Sequence, residues 1–296
     1  MEILHECSVV ARLCEPGPDA QVMASGPVGN GLARGLDIDK SHAFGITDPD
    51  YSRGVGRILI ALLCLLSTVF ANAGDSPAKL KVLLITGGHG FEQQPFFKLF
   101  NDLPSITLTT AEHAKTSATA YEHDDLLAQD VVVLYDMPMV ITDQQKAAFL
   151  GLFDKGIGVV VLHHALVSYQ DWPEYEQIIG GRYPKPPNGQ PQVTDVVGYQ
   201  HDEEVPVTIL AKDHPITAGL SDFTIHDEIY WGFRVGKDVT PLLSTTHPKS
   251  GKPLAWTRQQ GKSRLVYLQL GHDHKAWDNP NYPKLVDRCI RWVAGG

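Results

Sequence analysis

Two regimes of apolar and polar positions meet near Lys79. Beyond it, short apolar runs alternate with stretches of helical spacing. "KLKVLLIT" (79–86), followed by the glycine turn "GGHG", reads as a buried strand entering a loop. "PFFKLFNDL" (95–103) has helical spacing, and "SITLTT" (105–110) and "DVVVLYD" (130–136) read as the second and third strands. "TDQQKAAFLGLFDKG" (142–156) is the clearest helix, with Thr142 and Gln145 as a capping-box pair and Gly156 as its stop. "GVVVLHH" (158–164) is a fourth strand, and "DWPEYEQIIGG" (171–181) a short helix starting near Pro173. Apolar strands alternating with helices predict a parallel sheet covered on both faces.

The second half changes character. After a proline-rich loop, "YPKPPNGQP" (183–191), the runs "EVPVTIL" (204–210), "FTIHDEIYW" (223–231) and "TPLLST" (240–245) read as strands without helices between them. "PLAWTRQQGKSRLVYLQL" (253–270) predicts a hairpin turning at Gln260–Gly261. A last helix is expected to start near "NPNYP", with Asn279 as cap and Pro280 at its first position, and to run to about Val293. The pattern is that of one α/β domain, a doubly wound and mainly parallel sheet with antiparallel additions in its C-terminal half.

Residues 58–70, "ILIALLCLLSTVF", form the one strongly apolar stretch. Its 13 residues fall short of the roughly 17–25 that a membrane span needs. Arg57 before it and Ala71-Asn72-Ala73 after it complete the pattern of a secretory signal peptide. Residues 55–73 are therefore expected to be removed after Ala73, leaving a periplasmic or secreted chain, 74–296, with no stable membrane insertion. Residues 1–54, rich in Gly, Pro and Asp, read as a disordered extension ahead of a true start near Val55. Of the four cysteines, Cys7, Cys14 and Cys64 fall in the discarded part, and Cys289 is left without a disulfide partner.

Composition narrows the function classes. The 296 residues are 43% hydrophobic and 20% charged, with a formal net charge of −9. No basic stripe accompanies that balance, so nucleic acid is not an expected partner. "GGHG" lacks the third glycine of a dinucleotide fingerprint, and no Lys-Ser/Thr follows as in a phosphate loop.

The candidate chemistry lies in the histidines, 11 of 13 of which belong to residues 74–296. His89 follows the first strand, Tyr135 and Asp136 close the third, His163 and His164 the fourth, and "GHDH" (271–274) the last. In open α/β sheets the ligand crevice lies outside the carboxyl ends of the strands, so these groups are expected at one edge. Alternation along a strand would let only one of His163 and His164 face the site. In "HDEIYW" (226–231), Glu228 and Tyr230 share a face, and a buried acid there needs a partner. No HExxH spacing occurs, so a divalent metal would have to be assembled from distant loops. No cofactor is otherwise required.

"VLLITGGHGFE", "GVVVLHHA", "WPEYEQIIGGRY", "DHPITAGL", "PLAWTRQQGKSRLVYLQLGHD" and "NPNYPKLVDRCIRWVA" resemble the trehalose-utilisation, or ThuA-like, family over roughly residues 80–293. The resemblance implies a flavodoxin-like fold of the class I glutamine amidotransferase superfamily. Those amidotransferases carry a nucleophilic cysteine on the turn after a core strand; here that turn holds His163-His164-Ala165, so covalent glutamine hydrolysis is not expected. The resemblance implies instead a role in sugar metabolism, beside enzymes that oxidise disaccharides to 3-keto derivatives.

The leading expectation is an enzyme cleaving or isomerising a 3-keto glycoside by acid–base chemistry. His164 and His272 are the base and acid, Asp273 orients, and Glu228 is the alternative base. His89, His163, Tyr230, Trp256 and Asp136 are expected to bind the carbohydrate. Two alternatives stand beside it: a non-catalytic sugar-binding or partner protein, and a metal-dependent hydrolase using the same histidines. The oligomeric state is not legible.

Overall fold

The computed structural model describes residues 78–114, 116–185 and 196–295. The expectations for residues 1–73, including the signal segment and three of the cysteines, lie outside these residues, as does most of the proline-rich loop.

The parallel half is built from β1 (Leu80–Gly87), β2 (Ile106–His113), β3 (Val131–Asp136) and β4 (Gly158–Leu162). Two very short strands, β5 (Gly181–Arg182) and β8 (Arg234–Val235), pair with each other outside the main sheet. The remaining strands are β6 (Gly198–Ile209), β7 (Phe223–Trp231), β9 (Thr240–Thr245), β10 (Ala255–Gln260) and β11 (Ser263–Leu268). The main sheet has the order β2-β1-β3-β4-β11-β10-β9-β6-β7. Its first five strands are parallel, in the 2-1-3-4-5 sequence of flavodoxin-like folds, and the pairs from β11 to β7 are antiparallel.

Period-two alternation explains why the central parallel strands β1, β3 and β4 are largely apolar on both faces, whereas edge strand β2 is not. In β3, Val131, Val133 and Tyr135 enter one core, while Val132 and Leu134 enter the other. The first core is closed by α1 (Gln93–Asn101) through Phe96 and Phe100, and by α5 (Tyr282–Val293) through Leu285 and Ile290. The second is closed by α2 (Asp143–Lys155) through Phe149 and Leu152, and by α3 (Pro173–Ile179) through Tyr175 and Ile178. Both faces of the sheet are therefore covered, as the runs required.

Local chemistry sets several boundaries. Thr142 and Gln145 form the reciprocal capping box expected of α2, and Gly156 ends that helix in the left-handed region. Three expectations need correction. The hairpin turns at Gly261–Lys262, because Gln260 pairs with Ser263. The last helix starts at Tyr282, with Asn281 as cap and Pro283 in its first turn. Asn279 instead accepts from the Asn281 N–H, and a one-turn helix, α4 (His274–Trp277), precedes it. Finally, β4 stops at Leu162, and His163–Val167 form a 3-10 turn.

Candidate functional site

Loops at the carboxyl ends of β1, β3, β4 and β11 converge with β6 and β7 around a cavity of about 160 Å³. His89, Met137, His164, Val167, Tyr183, Lys185, Tyr199, His201, Glu228, Tyr230 and His272 line it. Glycine geometry permits the approach. Gly88 has φ +73°, and a Cβ there would stand 2.5 Å from the Met137 carbonyl carbon; Gly271 has φ +113°, and a Cβ would meet the Tyr282 hydroxyl at 2.0 Å.

Behind the wall that Glu228, Tyr230 and His272 form lies His163, fully buried and outside the cavity lining, so contrary to expectation it does not bind carbohydrate directly. Its φ of +48° is rare for a side chain with a Cβ, and such backbone strain concentrates at functional positions. The sharp turn after β4 points the ring across the sheet instead of continuing the strand. Its Nε2 lies 2.8 Å from Glu228 Oε2, 2.8 Å from the Tyr230 hydroxyl and 3.3 Å from His272 Nδ1. Its Nδ1 lies 2.6 Å from the Gln269 carbonyl oxygen.

Glu228 is the hub of the cluster. Oε2 also lies 3.2 Å from His272 Nδ1, and Oε1 lies 3.5 Å from His201 Nδ1. Burial alone would raise its pKa, but hydrogen bonds from His163 and His272 outweigh that and hold the carboxyl well below its ordinary range. For His272 burial works downward, and the bond to Glu228 overcomes it and raises the imidazole. Neighbouring Asp227 is fully engaged with backbone: it accepts from the N–H groups of Glu228, Gly271 and His272 at 2.8, 2.8 and 3.0 Å. Asp227 thus fixes the loop that carries His272. Tyr135 supports the same loop by donating to the His272 carbonyl at 3.0 Å.

A second group of imidazoles covers the opposite wall. His164 packs at a tilt against His89, 4.4 Å between ring centroids, and edge-on against the Tyr135 ring at the same separation. It is only 3% exposed, and neither ring nitrogen has a hydrogen-bond partner. Burial, then the nearby His163 and His89, push its pKa well below that of free imidazole. His89 is lowered chiefly by burial as well.

Sequence reasoning placed His89, His164, Glu228, Tyr230 and His272 at one edge, and all five border the cavity. Three further assignments are corrected. Trp256 is fully buried in the second core and donates to the Ile179 carbonyl, so it offers no platform to a sugar. Asp136 points to that same side of the sheet, where its carboxylate lies 3.3 Å from His113 Nε2. Asp273 caps α4 by accepting from the Lys275 N–H, and Asp227 takes the positioning role foreseen for it. The alternation argument also fails: because His163 and His164 sit in a turn, both reach the site region, and His163 holds the central position. His201 and Tyr199 were missed. Their i, i+2 spacing on β6 was the available signal, hidden because that strand starts at Gly198 rather than Glu204.

A wider groove of about 1030 Å³ lies elsewhere, along α3 and β8. Four of its charges pair among themselves, Arg234 with Glu176 and Arg258 with Asp238. The smaller histidine cavity is the better functional candidate, because titratable His164 lines it with both buried ring nitrogens unpartnered among the described residues. Cys289 is buried in α5 against the first core and does not line the cavity, and burial pushes its thiol up.

The family profile "ThuA: Trehalose utilisation" matches residues 81–293. Among solved structures, a ThuA-like protein from Parabacteroides merdae aligns with a TM-score of 0.63 at 20% identity, covering 73% of this chain and 90% of its own. A ThuA-like protein from Bacteroides uniformis aligns at 0.56 and 23% identity, covering 76% and 94%. A cytoplasmic protein from Salmonella typhimurium aligns at 0.51 and 13% identity, covering 72% and 99%. At such identities the likeness establishes the flavodoxin-like fold alone. A search of curated proteins finds no match.

Proposed function

The chain belongs to the ThuA family of trehalose utilisation, and from that premise we propose that it is an exported enzyme that cleaves or isomerises a keto glycoside in the histidine cavity. One observation carries the reading: both ring nitrogens of His164 are buried at the cavity wall without a partner among the described residues. A buried polar group is normally satisfied, so these nitrogens are suited to a ligand that brings hydroxyls or an acidic C–H.

The chemistry follows from the ketone. In a 3-keto glycoside, the hydrogen on C2 is acidified by the neighbouring carbonyl. His164 removes it as a proton, the C–H electron pair forms the C1–C2 double bond, and the C1–O bond to the second sugar breaks. The departing oxygen takes a proton from His272, which Glu228 orients. Water adding back across the double bond would complete hydrolysis; reprotonation on the other face, without C1–O cleavage, would give isomerisation. Tyr183 and Tyr199 supply aromatic edges for the ring.

Purified protein incubated with 3-keto disaccharides and with the unoxidised parents, followed by mass spectrometry, tests this. Conversion restricted to the keto sugars is the expected result. His164→Ala should lower the rate by about 10²–10⁴, the usual contribution of a general base, and should also lower the melting temperature, because the buried ring packs on His89 and Tyr135. A His164→Ala protein that turns over at the wild-type rate would refute the assignment.

A further inference from the structure

We infer that His163, Glu228 and His272 together hold one divalent transition-metal ion, whose open coordination positions face the cavity. The Gln269 carbonyl sets the tautomer of His163. A carbonyl only accepts, so Nδ1, 2.6 Å away, carries the ring proton. In its neutral form the ring presents a lone pair at Nε2. That lone pair meets Glu228 Oε2, another pure acceptor, at 2.8 Å and His272 Nδ1 at 3.3 Å, while Oε2 and Nδ1 are 3.2 Å apart. Three electron-rich atoms at this spacing call for a positive centre among them. A proton can bridge one edge of the triangle, and the Tyr230 hydroxyl reaches Nε2 at 2.8 Å. A cation serves all three corners at once.

The dimensions agree. With metal–ligand bonds of about 2.1 Å, adjacent ligands stand about 3.0 Å apart in octahedral geometry and about 3.4 Å in tetrahedral geometry. Two imidazoles and one carboxylate on one face suit zinc, iron or manganese better than magnesium or calcium. The supporting bonds are also those of a metal centre: the Nδ1–H of one ligand is held by a carbonyl, and the loop bearing another is pinned by Asp227. A second observation points to an occupant on the open side, where buried His164 faces the cavity with both nitrogens unpartnered. His201, half-exposed and 3.5 Å from Glu228 Oε1, stands beside the centre as a further donor.

This inference goes beyond the sugar reading and does not depend on it, because cation binding is measured without sugar. Chelator-stripped full-length protein would be titrated with Zn²⁺ and Mn²⁺ by calorimetry, with thermal melts in parallel. One ion per chain and a metal-dependent rise in melting temperature are expected for at least one of the two. Glu228→Gln and His272→Ala should each weaken binding at least about tenfold. His272 is partly exposed, so its alanine variant is the one expected to keep its fold. His226→Ala removes the surface histidine paired with Asp202 and Glu204, and should bind like wild type. Absence of saturable uptake, uptake unchanged in both site variants, or uptake lost in His226→Ala would overturn the inference. Stoichiometric binding without sugar turnover would uphold it and count against the sugar reading alone.

Discussion

His163 shows how much one residue can organise when its backbone is forced out of the strand. At φ +48° it stops β4 and directs its ring between Glu228, Tyr230 and His272. Because it is wholly buried and hydrogen-bonded to several partners, His163→Ala should destabilise the protein more than His164→Ala, whose ring is buried without such bonds. Asp136 allows a separate test at the same scale. Its carboxyl is fully buried, and burial raises its pKa, with His113 pulling partly the other way. Tyr121, Tyr169 and Tyr175 surround it, each pushed well above the ordinary phenol range. A raised folded-state pKa means that the folded state holds a proton the unfolded chain releases. The resulting stability is complete below the unfolded pKa, near 3.9, and is lost as pH rises through the folded value. Asp136→Asn keeps the shape and removes the titration. Its melting temperature relative to wild type should therefore rise between pH 4 and pH 7. A difference that stays constant with pH would show that Asp136 does not titrate in this way. At this scale the sequence displayed residue types but not directions. Glu228 and Tyr230 were placed correctly because strand alternation is rigid. Trp256 and Asp136 were misplaced because strand-end position alone does not say which face a side chain takes.

The elements were the more legible level, for a physical reason. Buried parallel strands need continuous apolar runs, and β1, β3 and β4 advertise themselves. The capping box of α2 is read from two residues. Thr142→Ala should cost about 1 kcal/mol in urea unfolding, since the Gln145 N–H loses its acceptor. The cap residues bond to one another, to Ser117 and to Glu122, none of which lines the histidine cavity, so ligand binding should be unchanged. What stayed hidden were elements defined by tertiary pairing. The start of β6 at Gly198 depends on its partner β7, with an irregularity between Gln200 and Glu203, and no apolar run marks it. His201 sits in that interval, which is why it went unseen.

The whole molecule explains why the chemistry gathers where it does. A 2-1-3-4-5 parallel sheet offers its ligand crevice at the carboxyl edge, and here the antiparallel extension brings β6 and β7 round to complete the wall. The turn after β4 holds His163, and four imidazoles line the cavity. The fold was therefore readable from patterning, while the chemistry is written in single residues. The proposed export is tested at this scale too. N-terminal sequencing of protein from its native envelope should begin at Gly74, and an intact cytoplasmic chain beginning at Met1 would contradict the signal reading of residues 55–73. The central claim is that this cavity removes a proton beside a sugar ketone. Incubating a 3-keto disaccharide with the protein in heavy water, and following the C2 position by mass spectrometry and NMR, tests it most directly. The account predicts protein-dependent deuterium entry at C2, or cleavage of the C1–O bond, that is lost in His164→Ala; a C2 hydrogen retained in uncleaved sugar, or equal exchange by wild type and variant, would contradict it.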